Sequence, residues 1–220
     1  RPMSYGRLKE RQRAERHSYP ENLSLRVHRA LSWLHRAEQL ARGDDVDGEF
    51  IFLWIAFNAA YATEIDENHR EPEQQTFRAF LQKLVDLDAG RRRFENLTWQ
   101  EFPKSIRVLL DNRFVFADFW QWQNGSLTEA EFQENFAAAN RAAHVALGRQ
   151  DTVTVLAIVL SRIYVLRNQL VHGGATWGSS VNREQLCDGT HFMAKLVPLV
   201  IEVMMDHPDT LWGQGTYPVV

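Results

Sequence analysis

Residues 151–174 read DTVTVLAIVLSRIYVLRNQLVHGG, and their pattern decides the fold class. Val153, Val155, Leu156, Ile158, Val159, Leu160, Ile163, Val165, Leu166, Leu170 and Val171 give a helix over 152–172 apolar surface on every side. A helix of that kind is buried among others. Asp151 stands at its N-cap position, where a carboxylate accepts a backbone N–H. Gly173-Gly174 ends it, because glycine readily takes the left-handed conformation that closes a helix C-terminus. Polar residues appear abruptly at that end: Arg167, Asn168, Gln169 and His172.

Working outward, helical periodicity recurs nearly everywhere. Leu23, Val27, Leu31, Leu34 and Leu40 fall near one face of a helix over 22–41, ended by Gly43. Asp44, Asp45 and Asp47 form an acidic turn that suits the positive N-terminus of the next helix. That helix, over 49–65, is apolar nearly all round, so it is expected inside the core or between subunits. Asn58 within it is expected to need a hydrogen-bond partner. Residues 64–73 read as a charged loop, with Glu64, Asp66, Glu67, Glu71 and Glu73 against Arg70. Pro72 suits the start of a helix over 73–87 with Phe77, Phe80, Leu81 and Leu84 inward.

Thr98-Trp99-Gln100-Glu101 fits a capping box, although Pro103 delays the helix that follows. Phe114, Phe116, Phe119, Trp120 and Trp122 make 114–122 strongly aromatic, suited to core or dimer packing or to base stacking. Gln123-Asn124-Gly125 reads as a helix stop. Thr128 and Glu131 fit a second capping box, opening a helix that ends at Gly148. A last helix over 182–206 contains Pro198, which removes one backbone donor and predicts a kink. Sustained two-residue alternation is absent. The expectation is an all-α chain: a basic N-terminal arm over 1–21, then a single helical domain over 22–220.

With 220 residues and 45% hydrophobic content, the chain is long enough to bury a full core. A single cysteine, Cys187, excludes an intrachain disulfide framework and points to a reducing, cytoplasmic setting. Net charge is −3, which argues against a protein held to nucleic acid by bulk charge. Only Lys9, Lys83, Lys104 and Lys195 are lysines, so arginine dominates the 25 basic residues. Arginine suits planar recognition of phosphate, and the same bias arises from base composition. The longest apolar stretch, 50–62, falls short of the roughly 20 residues that span a bilayer, so no membrane association is expected. The arm carries Arg1, Arg7, Lys9, Arg11, Arg13 and Arg16 against Glu10 and Glu15, as a solvated helix face or a surface for RNA or a partner. Arg91-Arg92-Arg93 is a candidate phosphate grip or a solvated corner.

Sequence motifs of the common nucleotide-binding, hydrolase, zinc and thiol–disulfide sites are absent. No His follows a Glu by three residues, as di-iron bundles require, so neither metal nor cofactor is expected. What remains is the end of the apolar helix. Asn168 and His172 are four apart and share a face. Arg167 lies about 100° around the helix, and its long side chain can swing toward them. The helix dipole favours a protonated His172 in the last turn. A titrating imidazole, a fixed cation and an amide are suitable groups for attacking and stabilising a phosphodiester. Spacing alone favours the plainer reading, two ordinary C-terminal helix charges and a solvated amide.

Arg167-Asn168-x-x-x-His172 resembles the R-polar-x3-H motif of the HEPN superfamily, and LRNQLVHGG over 166–174 looks like its Apea-like branch. FLWIAFNAAY over 52–61 is similar to the early apolar helix of such proteins. The resemblance covers 22–207 and leaves the basic arm and 90–125 as additions, the extra N-terminal and middle helices. It implies an antiparallel helical bundle that forms a homodimer through the Arg167–His172 helix. It also implies a metal-independent endoribonuclease whose composite site takes Arg167 and His172 from both protomers, with Asn168 as a hydrogen-bonding aid. RNA would be the substrate; Arg91, Arg92 and Arg93, outside the resemblance, are candidate additional RNA contacts read from the residues alone. An antitoxin or other regulator would be the partner of a toxin, stress or defence protein. Gly173-Gly174 stands where some toxins of the family carry a modified Tyr, so control by nucleotide addition there is unsupported. The alternative is a non-catalytic module that binds RNA, a nucleotide or a partner protein.

Overall fold

The computed structural model describes residues 3–61 and 73–213. The charged loop read over 64–73 lies almost wholly outside them, as does the expected end of the second long helix. All regular structure among the described residues is helical. In chain order the helices are α1 (Tyr5–Glu15), α2 (Glu21–Arg42), α3 (Val46–Tyr61), α4 (Glu73–Leu87), the short α5 (Arg93–Asn96), α6 (Pro103–Asp111), α7 (Ala117–Gln123), α8 (Glu129–Gly148), α9 (Thr152–Val171) and α10 (Arg183–Asp206). A π-helical turn (Leu97–Glu101) precedes α6, and a 3-10 turn (Arg113–Val115) follows it.

The chain divides into two compact units. The first comprises the described residues within 1–71, 86–91 and 190–220. Its core buries Leu8 from α1, Leu23, Val27, Leu31 and Leu34 from α2, and Phe50, Leu53 and Phe57 from α3. Gly43 caps α2, and Asp45 opens α3 by accepting the Gly48 N–H at 3.0 Å. Asn58 does not need a buried partner: it is exposed, because α3 keeps one narrow strip facing outward. Arg26 is buried instead and donates from Nη1 to the Ala60 carbonyl at 2.7 Å. A guanidinium there satisfies one of the orphan carbonyls of α3's last turn and complements its dipole.

The basic arm is part of this unit. Glu38 of α2 accepts the N–H groups of Ser4 and Tyr5 at 2.7 and 3.0 Å and so caps α1. Arg7 pairs with Glu202 at 2.9 Å and Arg11 with Asp206 at 2.7 Å. Burial and then the charges of Arg13 and Arg16 hold the Lys9 ammonium below its ordinary pKa, so these three cations lie close together.

The second unit comprises residues 72–85 and 92–189, and α9 is its centre. Val155, Leu156, Val159, Leu160 and Ile163 are buried, and α9 packs against α6 and α8. Asp151 caps it by accepting the Thr154 N–H at 3.1 Å. Among the described residues α9 is the one helix long and apolar enough to cross a membrane. Its most apolar window is 56% buried inside the protein, the pattern of a core helix. The Thr128–Glu131 capping box forms in full at the start of α8. The one read at 98–101 does not. Thr98 is buried in the π-helical turn, where its hydroxyl bonds the Phe94 carbonyl at 2.8 Å. The turn delivers Trp99, whose Nε1 donates to Thr152 Oγ1 at 2.8 Å, to the start of α9. α10 runs unbroken through Pro198.

Candidate functional site

The C-terminal end of α9 is shaped by its glycines. Helical backbone continues to Val171, and His172 is the C-cap residue, its N–H bonding the Asn168 carbonyl at 3.0 Å. Gly173 then adopts φ +70°, a conformation that costs a residue with a Cβ. The Gly174 N–H bonds the Gln169 carbonyl at 2.7 Å, and a Cβ on Gly174 would meet that oxygen at 3.0 Å. The sharp reversal leaves His172 exposed at the tip of the helix instead of folding a further turn over it.

Arg167 and Asn168 meet directly. Arg167 Nη1 donates to Asn168 Oδ1 at 2.8 Å, and both side chains are half-buried. The Arg167 guanidinium also lies 5.7 Å from the centroid of the Tyr164 ring. Asn168 is thereby fixed with its oxygen engaged and its NH2 left as a donor. The His172 ring bonds neither of them, so the cation and amide are pre-assembled while the imidazole stands apart on the same helix end. Chemically, this end presents one fixed positive charge, one amide donor and one titratable ring.

Gln169 carries no role in the sequence reading, yet it ties this end to its surroundings. Its Nε2 donates to the Phe114 carbonyl at 2.8 Å, and its Oε1 accepts from Asn182 Nδ2 at 3.1 Å. Trp120 Nε1 reaches the same Phe114 carbonyl at 2.8 Å. The sequence signal for Asn182 was weak, an Asn at the start of the last helix; the structure holds it at φ +55° just before α10.

One and a half turns earlier on α9, Arg162 is only 4% exposed, and its guanidinium lies 4.5 Å from the Phe116 ring centroid. Its Nε is buried without a hydrogen-bond partner among the described residues. Burial pushes its pKa down to about 10, against the opposing pull of Asp118 and Asp111.

The arginine triplet is spread over different surroundings. Arg91 is exposed, 3.8 Å from Asp206. Arg92 is the N-cap of α5 in a left-handed conformation, and Arg93 is half-buried as the first residue of α5. Among the described residues no three His, Cys, Asp or Glu side chains gather as a metal-ligand set. No family model, curated protein or solved structure matches the chain.

Proposed function

We propose that the chain is a metal-independent endoribonuclease that works as a homodimer, with Arg167, Asn168 and His172 of both protomers forming one site. The observation that carries this reading is the helix end itself: a guanidinium locked on an amide at 2.8 Å, beside an exposed imidazole that bonds none of the described residues. One Arg and one His make a poor acid–base pair, and a two-fold axis doubles the set by bringing identical residues face to face. The helix end is also flanked by apolar side chains suited to self-association: Val171 is 48% exposed, Trp177 79% and Val181 67%.

In the proposed reaction one His172 takes the proton of a ribose 2′-hydroxyl, and the freed oxygen attacks the adjacent phosphorus. The P–O5′ bond breaks, and the partner's His172, protonated, gives its proton to the leaving 5′-oxygen. Arg167 stabilises the charge developing on the non-bridging oxygens, and the Asn168 NH2 donates to one of them. The products are a 2′,3′-cyclic phosphate and a 5′-hydroxyl. RNA with a 2′-deoxy residue at the cleaved position is expected to survive. Cleavage there, or 3′-hydroxyl products, would refute this chemistry. A cytoplasmic defence, stress or toxin–antitoxin role under a regulator fits such an enzyme. Expression of the unaltered chain is expected to arrest growth, and expression of His172→Ala to be harmless; equal harm from both would count against it.

A second reading, a module that holds RNA without turnover, is favoured by one feature. Phe114 and Trp120 remain partly exposed beside Arg113, an arrangement suited to stacking bases. RNA binding that outlasts long incubation with no cleavage in EDTA distinguishes it.

A further inference from the structure

A shallow, open cavity of about 560 Å³ lies beside the C-terminal half of α6. Arg107, Asp111, Asn112, Arg113, Phe114 and Gln185 line it. The volume is in the range of small-molecule sites, roughly 300–1,000 Å³. Its charge balance is cationic. Arg107 and Arg113 are exposed and form no ion pair among the described residues, whereas Asp111 is engaged by His144 at 3.1 Å. Its aromatic wall is braced: the Arg113 guanidinium lies 5.0 Å from the Phe114 ring centroid, and Phe119 meets that ring edge-on at 5.1 Å. Asn112 spends its Oδ1 on the Phe114 N–H at 2.8 Å, which leaves its NH2 as a donor toward the cavity.

We propose that this cavity is a nucleotide site, with Phe114 stacking the base and Arg107 and Arg113 holding phosphate. A braced ring, the uncommitted guanidinium of Arg107, the Arg113 guanidinium that braces the ring and an amide donor are the complement of a base joined to a phosphate. The wall is not remote from the α9 end, because Gln169, the residue after Asn168, donates to the Phe114 carbonyl. On the ribonuclease reading, on which this placement rests, the occupant is a nucleotide of the RNA flanking the bond that is cut. Gln169 is then a positioning residue, setting the cavity against Arg167 and His172. The same chemistry would take a free nucleotide.

The test uses the full chain carrying His172→Ala, titrated with a short fluorescein-labelled single-stranded RNA and, separately, with the four nucleoside 5′-monophosphates. RNA affinity is expected to fall about tenfold or more on adding Arg107→Ala or Phe114→Leu, in keeping with the worth of a charge-assisted contact or a stacked base. Lys104→Ala removes a cation from the same helix outside the cavity and is expected to leave affinity within about twofold, since it costs only screened bulk charge. Monophosphates that bind and compete identify a free nucleotide as occupant; binding of RNA alone identifies a strand segment. Absent binding of both, unchanged affinity in Arg107→Ala, or an equal loss in Lys104→Ala overturns the site. Arg107 is exposed, so its replacement leaves folding intact. Cleavage by the unaltered chain is scored separately. No cleavage with cavity-dependent RNA binding removes the catalytic reading and leaves the site. Cleavage with a KM indifferent to Arg107→Ala removes the site and leaves catalysis.

Discussion

Arg162 is a cation in a place that does not suit it. Its Nε has no hydrogen-bond partner among the described residues, and its nearest compensation there is the face of Phe116 together with the fields of Asp118 and Asp111. Replacing buried ion pairs by apolar residues is often stabilising by about 1–4 kcal/mol, and a buried cation with no ion pair among the described residues has still less to lose. Arg162→Met is therefore expected to raise the melting temperature by several degrees, at about 2–4 °C per kcal/mol for a chain of this size. The pH dependence has a definite sign. The native state disfavours the charged form, so the cost is full below pH 10 and eases as pH rises from about 10 toward the ordinary arginine range. The gain from Arg162→Met should be constant near neutrality and shrink above pH 10. A melting temperature unchanged or lowered in Arg162→Met would show that the charge is compensated. An arginine in the middle of a helix read as apolar on every side is a warning in the sequence, but its partners sit on distant segments and were not legible. Arg167 and Asn168 are adjacent, and their contact was open to local reasoning.

At the scale of elements, what was legible followed local chemistry. The Asp151 cap, the Thr128–Glu131 box and the glycine stop after His172 each depend on residues a few positions apart, and all are present. The failures came where tertiary packing overrides the local signal. Thr98 turns into a π-helical core position because Trp99 is needed at the start of α9. Asn58 escapes to the surface because an apolar composition does not require that every position of α3 be enclosed. Two outcomes test the α9 termini. Asp151→Ala is expected to cost about 1 kcal/mol, the usual worth of an N-cap, read as a lower urea midpoint with an unchanged m-value. Gly173→Ala forces a Cβ into a left-handed position and is expected to cost about 1 kcal/mol as well. By displacing His172 it should also reduce RNA cleavage in protein that is still folded. Full activity in folded Gly173→Ala would separate the turn from the site.

At the scale of the whole molecule, the helical class was readable from periodicity. Two boundaries of the compact units, at 85/86 and 189/190, fall within α4 and α10, where no change of composition marks them. Self-association through the α9 end belongs to this scale. Sedimentation is expected to give a dimer for the unaltered chain, and Trp177→Glu, on a side chain 79% exposed, is expected to shift it to monomer without loss of helicity. A dimer indifferent to Trp177→Glu would place the interface elsewhere. The most direct measurement is the rate of single-stranded RNA cleavage in EDTA by the unaltered chain, Arg167→Ala and His172→Ala, each verified as folded. The account predicts cleavage by the first and a loss of about a hundredfold or more in each variant, the usual worth of a general acid–base group or of transition-state charge stabilisation. No cleavage by the unaltered chain, or cleavage undiminished in the variants, would contradict it.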